Sequence, residues 1–337
     1  MSFDIFRRRR ILIVGRIDQV RWSKGGIHSS CLLLQQNLGR LNFEVEVLDL
    51  DAPLHWFRAR FAEAWDLIIV YGGSLYSQDR FSLRLCMELS REVSCPVYFG
   101  ASWDMSPKSE NAIRYHTEFT NSNACFFTFS SAGREAVTSV SGRMTNILPK
   151  PLRALGFKKR RSWRGGKKVF LGDLAKFVDP HITPDARDFF DAITGYYMPE
   201  QIVFVRQYGL GLSKIPDWLS GVAVREYTPN LSQLFRGINL YVHTPKHVTF
   251  EMLPLEAWGM GIPLIRRSLP QSLNEAIPLN LSSIFTSPSQ LQELMQRHIP
   301  SEWGKETAEM QRKHYLDLKS HSDGDGLNRF ISAAIDG

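Results

Sequence analysis

No apolar run in these 337 residues approaches the roughly 20 that a membrane-spanning helix requires, so no such helix is expected. Cysteine is scarce. Cys31, Cys86, Cys95 and Cys125 are scattered, have no C-x-x-C spacing and mostly fall in apolar periodic segments, which points to buried free thiols. The G-x-G-x-x-G fingerprint of dinucleotide binding is missing after the first apolar strand. Met1 to Arg10 carries charge but no apolar segment ahead of a cleavage site, because Ile11–Val14 is only strand-sized, and a cytoplasmic protein is expected. Acids are absent from Lys150 to Lys168, where nine residues are Lys or Arg, and Arg7 to Arg10 adds four more. Such a basic surface suits phosphate-rich partners: an anionic membrane, an acidic polymer or nucleic acid. A peripheral place at the inner membrane face fits the first of these. The nucleic-acid version has no motif behind it, since Trp163 is the only aromatic between Arg160 and Lys168.

What the chain does have is apolar material, 43% of residues with 12% aromatic, enough for real cores and against global disorder. Its length predicts two domains of roughly 150 residues. Short apolar runs alternate with helical patterns from the start. Arg10 to Gly15 reads as a buried parallel strand, Gly25 and Gly26 stand at the mouth of a helix carrying Leu32, Leu34 and Leu38, and F-E-V-E-V-L-D-L follows as a second strand. Paired glycines there let a phosphate approach backbone N–H groups, although G-G alone is a weak signal. Asp66 to Gly73, Pro96 to Gly100, Ala124 to Ser131 and Asn146 to Pro151 supply further strands, with a helix over Phe81 to Val93 and another capped by Ser130 or Ser131. The basic stretch interrupts this rhythm. It restarts with strands at Lys168 to Leu174, Gln201 to Arg206, Val222 to Thr228 and Ile238 to Thr244, and with helices near Pro184 to Ile193 and at L-S-Q-L-F-R-G. Such alternation predicts doubly wound parallel sheets with ligands at the carboxyl ends of their strands.

The stretch F-E-M-L-P-L-E-A-W-G-M-G-I-P-L-I, Phe250 to Ile265, reads as a loop ending in Pro254, a helix over Leu255 to Trp258, a Gly-x-Gly break and a strand from Ile262 to Ile265. Its loop amides and helix start suit an anion. A final helix is expected over Asp325 to Ile335.

In order and spacing, G-G at Gly25 and Gly26, F-S-S-A-G-R-E-A, Y-T-P-N-L-S-Q-L-F-R-G-I-N-L-Y-V-H-T-P and L-E-A-W-G-M-G-I-P-L-I followed by Glu275 resemble nucleotide-sugar glycosyltransferases of the GT-B fold. The resemblance is closest to the large retaining group called glycosyltransferase family 4 and runs over most of the chain. It implies two Rossmann-like α/β domains facing a central cleft: an acceptor domain over 1–150, a basic linker over 151–168, and a nucleotide-sugar donor domain over 169–316. A last helix, 317–337, would cross back to the first domain. The implied substrate is a nucleotide-diphosphate sugar, with no cofactor and no metal. Glu256 matches the second Glu of the family's paired-Glu signature and would accept hydrogen bonds from the donor ribose. Backbone amides near Met252 and Leu253 would face the diphosphate, joined by Gly25 and Gly26. Lys176 would offset the departing charge, with Arg206 in reserve, and Tyr227 opens the donor framework that runs to Pro263.

The departures from the family pattern matter as much. Val248 stands where the first Glu belongs, Asp173 where an Arg is often found, and Trp103 with Asp104 where a His-Asp pair is expected. Asp104 is the one first-domain acid to test as catalytic. The leading expectation is a transferase with altered donor contacts; a non-catalytic GT-B-like binding or scaffold protein and a transferase acting on nucleic acid are the alternatives.

Overall fold

The computed structural model describes residues 7–15, 26–71, 80–101, 110–111, 113–114, 117–118, 124–155, 168–206, 215–228, 230–246, 251–268, 275–298 and 305–336. The chain forms two compact units, Met1–Leu152 with Lys319–Gly337, and Arg153–Leu318. Among the described residues no helix is long and apolar enough to cross a membrane.

The first unit runs β1 (Arg10–Gly15), α1 (Gly26–Arg40), β2 (Glu44–Asp49), α2 (Leu54–Phe61), β3 (Leu67–Tyr71), α3 (Arg80–Leu89), β4 (Val97–Gly100), β5 (Ala124–Thr128), α4 (Ser131–Ser141) and β6 (Thr145–Ile147). Its sheet is parallel, in the order β2-β1-β3-β4-β5-β6. The unbroken apolar runs follow from burial on both faces. Leu12 and Val14 enter one core with Ile68, Val70 and Phe99, while Ile11 and Ile13 enter the opposite core with Leu67, Ile69 and Tyr98. Ser130 caps α4, its hydroxyl accepting from Gly133 N–H at 3.1 Å.

The second unit continues with β7 (Lys168–Asp173), α5 (Leu174–Val178), α6 (Ala186–Thr194), β8 (Ile202–Arg206), β9 (Ala223–Glu226), α7 (Leu231–Leu234), β10 (Ile238–His243), α8 (Met252–Gly259), β11 (Leu264–Arg267), β12 (Ser283–Phe285) and α9 (Pro288–His298). The parallel order is β12-β11-β10-β7-β8-β9. Here β7 starts the unit at the centre, the next strands build to one side and β10 returns to the other. The chain direction therefore reverses between β7 and β10, which is where a doubly wound sheet opens a crevice at its carboxyl edge. Helix α10 (Lys305–Asp323) follows, and α11 (Asp325–Ile335) packs in the first unit's core through Leu327, Phe330, Ile331 and Ala334, spaced as one helix face.

Two elements that follow β10 differ from the sequence reading. Helix α8 begins at Met252, three residues before the expected start, and includes Pro254 in its first turn, where an N–H would be unpaired in any case. Strand β11 is displaced to Leu264–Arg267 because Arg266 and Arg267, which look like a strand end, are buried. Arg266 donates to Ser282 Oγ at 3.1 Å and to the Ile277 carbonyl at 3.2 Å, and Arg267 makes a two-pronged pair with Asp185 at 2.6 and 2.7 Å.

Candidate functional site

The switch point of the second sheet carries a connected group of ionisable side chains. Asp173 ends β7, and its Oδ1 accepts from Ala175 N–H at 2.9 Å, starting α5. Gly172 precedes it with φ +85°; a Cβ there would stand 2.8 Å from Tyr241 Oη, so the close approach of β7 to β10 requires glycine. Lys176 projects from α5 and its Nζ is bonded to Glu251 Oε1. Glu251 sits immediately before α8, and its other oxygen meets Nε2 of His243, the last residue of β10, at 2.5 Å. Lys176 keeps 34% side-chain exposure while Glu251 keeps 9% and His243 1%, so the group opens toward solvent at the lysine.

Burial alone would raise the Glu251 carboxyl, but the Lys176 ammonium and His243 outweigh it and hold it down at about 2. Burial pushes the Lys176 ammonium down, and Glu251 with Asp173 more than restores it, leaving it above its ordinary value. Asp173 goes the other way. Burial raises its carboxyl, and neither Lys176 nor the Ala175 N–H fully compensates. Among the described residues, three polar atoms at this edge are buried without a hydrogen bond: Asp173 Oδ2, His243 Nδ1 and Thr244 Oγ1. Buried polar groups are normally satisfied, and the exceptions gather at functional sites.

A second group lies around Glu256. Arg153 Nε stands 3.3 Å from Glu256 Oε1, and Arg153 Nη2 donates to Tyr227 Oη at 2.6 Å. The Tyr315 hydroxyl donates to the Arg153 carbonyl at 3.0 Å, fastening Arg153 within the second unit. Glu256 is 1% exposed. Burial would lower the Arg153 guanidinium, but Glu256 and then Tyr227 raise it. Tyr241 belongs to both groups: burial, then Glu251, Asp173 and Glu256, push its hydroxyl well above the ordinary range.

The residues singled out from sequence thus fall in several places. Lys176 is joined to the residue before Met252 and Leu253, which form the first turn of α8. Glu256 and Tyr227 are joined through Arg153. Arg206 ends β8, is half exposed and pairs with Glu226 at 3.0 Å. Gly26 is the first residue of α1, while Gly25, Trp103, Asp104, Val248 and residues 156–167 of the basic stretch lie outside the described residues. Arg153 and His243 went unmarked in the sequence. Arg153 was hidden in a charge-rich stretch, and His243 gave a faint signal as the polar end of an apolar strand. Among the described residues no three His, Cys, Asp or Glu side chains are grouped to hold a metal ion.

No protein-family model matches the chain, and no curated protein matches it in sequence. Solved structures do. Anabaena HepE in complex with UDP-glucose is 16% identical, covers 98% of this chain and 100% of its own, and superposes with a TM-score of 0.69. Sucrose-phosphate synthase from Thermosynechococcus elongatus is 14% identical over 97% of this chain and 96% of its own, with a TM-score of 0.69. The chain has the GT-B fold. A further GT-B structure, the lipopolysaccharide outer core galactosyltransferase WaaB, is 13% identical, covers 96% of this chain and 99% of its own, and has a TM-score of 0.62. At these identities the likeness concerns the GT-B fold, and the side chains of the site have to be read from this chain itself.

Proposed function

We propose that the protein is a glycosyltransferase that moves a sugar from a nucleoside-diphosphate sugar to a glycan or lipid-linked acceptor, retaining the anomeric configuration and using no metal. The reading rests on one observation: a charged, largely buried and incompletely hydrogen-bonded cluster stands at the switch point of the second unit's sheet. The fold supports a nucleotide-sugar ligand, since HepE, which shares it, was solved with UDP-glucose. In this reading the free amides of the first turn of α8, at Met252 and Leu253, and the half-exposed Arg206 receive the diphosphate, whose departure leaves an oxocarbenium-like sugar. Glu256 acts through Arg153, holding the guanidinium so that it and Tyr227 meet the nucleotide.

A thermal-shift panel of UDP, ADP, GDP, dTDP and their glucose conjugates tests the reading. Nucleotides of one base should raise Tm in the wild type and fail to do so in Glu256→Gln, and slow hydrolysis of the matching sugar conjugate should follow. Silence across the panel would favour a non-catalytic GT-B binding or scaffold protein, a reading that the two carboxylates beside Lys176 also support.

A further inference from the structure

The switch-point cluster has the wrong charge for a diphosphate. Its ammonium, on Lys176, is bonded to Glu251 and faces Asp173 as well, so one lysine stands against two carboxylates. An incoming diphosphate would meet like charge there. What the cluster offers is acceptors. Both Glu251 oxygens are occupied, but Asp173 Oδ2 makes no hydrogen bond, and Asp173 is 7% exposed. His243 meets the Glu251 carboxylate through Nε2, and its other ring nitrogen, Nδ1, is buried with no hydrogen-bond partner among the described residues.

We propose that this cluster binds hydroxyl groups of the donor's sugar, and that the diphosphate lies elsewhere. Asp173 is the principal acceptor, and the Lys176–Glu251–His243 chain is the frame that holds it. The ligand's identity rests on the nucleotide-sugar reading above. Burial supports the role of Asp173: a carboxylate stripped of water and short of donors gains more from a ligand O–H than an exposed one would. Gly172 supports the placement, because a glycine at φ +85° lets the end of β7 lie against the Tyr241 hydroxyl of β10.

Isothermal titration with UDP-glucose, UDP, the ADP, GDP and dTDP counterparts, and free glucose separates the possibilities. The wild type should bind the glucose conjugate about tenfold more tightly than the bare diphosphate, and Asp173→Asn should shrink that ratio to about twofold by weakening the conjugate alone. Asparagine keeps an oxygen for the Ala175 N–H, so the start of α5 is preserved. Lys176→Met should leave diphosphate affinity within about twofold. A loss of about tenfold in diphosphate affinity in Lys176→Met, with an unchanged ratio in Asp173→Asn, would overturn the proposal and leave the nucleotide-sugar reading intact. Glucose binding that Asp173→Asn abolishes, with no nucleotide bound, would keep the cluster and remove that reading. No binding of any ligand defeats both. Should Lys176→Met lose its cooperative melt, the Asp173→Asn ratio decides alone.

Discussion

Glu251 is anchored from both sides, and its value of about 2 makes it a source of acid sensitivity. Because folding favours its ionised form, the stabilisation, roughly 3 kcal/mol, is present above the ordinary 4.5 and fades as pH falls toward about 2. Urea denaturation should show the wild type losing its advantage over Glu251→Gln across that window; parallel pH curves would refute the assignment. Asp173 has the opposite sign. Its carboxyl is raised on folding, so its ionised form destabilises the fold, and Asp173→Asn should melt higher than the wild type at pH 7. A residue that weakens the fold while weakly held by its neighbours is the pattern expected of a group kept for binding. Arg153 has a structural role beside the ligand contact proposed for it. Removing it as Arg153→Met takes a cation from beside the buried Glu256 and should cost about 3 to 5 kcal/mol by chemical denaturation, with Glu256→Gln in the same chain restoring part of the loss.

The elements that carry the site are short and depend on backbone geometry. The turn from β7 into α5 needs Gly172 at φ +85°, and alanine there faces both an unfavourable backbone and the Tyr241 hydroxyl. Gly172→Ala should therefore lower stability by at least about 1 to 2 kcal/mol, and Tyr241→Phe should relieve the part due to the clash, as read from the midpoint of urea unfolding. Strands were the most legible elements in the sequence, since β1, β3, β7, β8 and β10 are apolar runs whose burial on both faces demands that composition. The start of α8 was less legible, because proline marks a loop end and a first helical turn equally well. Helices α2 and α9 escaped notice. Helix α2 turns only Phe57 and Phe61 inward and leaves Leu54 and Trp56 exposed, which blurs its apolar stripe.

Across the whole chain, the first unit is completed by a segment that arrives after the second. Phe330 of α11 is 3% exposed and meets Tyr98 and Phe127 edge-on at 5.3 and 6.2 Å. Phe330→Ala should destabilise the first unit by about 3 to 5 kcal/mol, visible as an earlier unfolding step for that unit in urea. Loss confined to the second unit's transition would contradict this. By itself the sequence determined two doubly wound parallel sheets and the succession of strands and helices along the chain, because those depend on local periodicity and on burial that the strands record in their own residues. Only the tertiary structure decided what the charged residues do. Lys176 meets a glutamate 75 positions away, Arg153 leaves a basic stretch to cover Glu256, and Asp173 remains short of donors. Such pairings arise from which strand ends the sheet order brings side by side, and no local pattern encodes that.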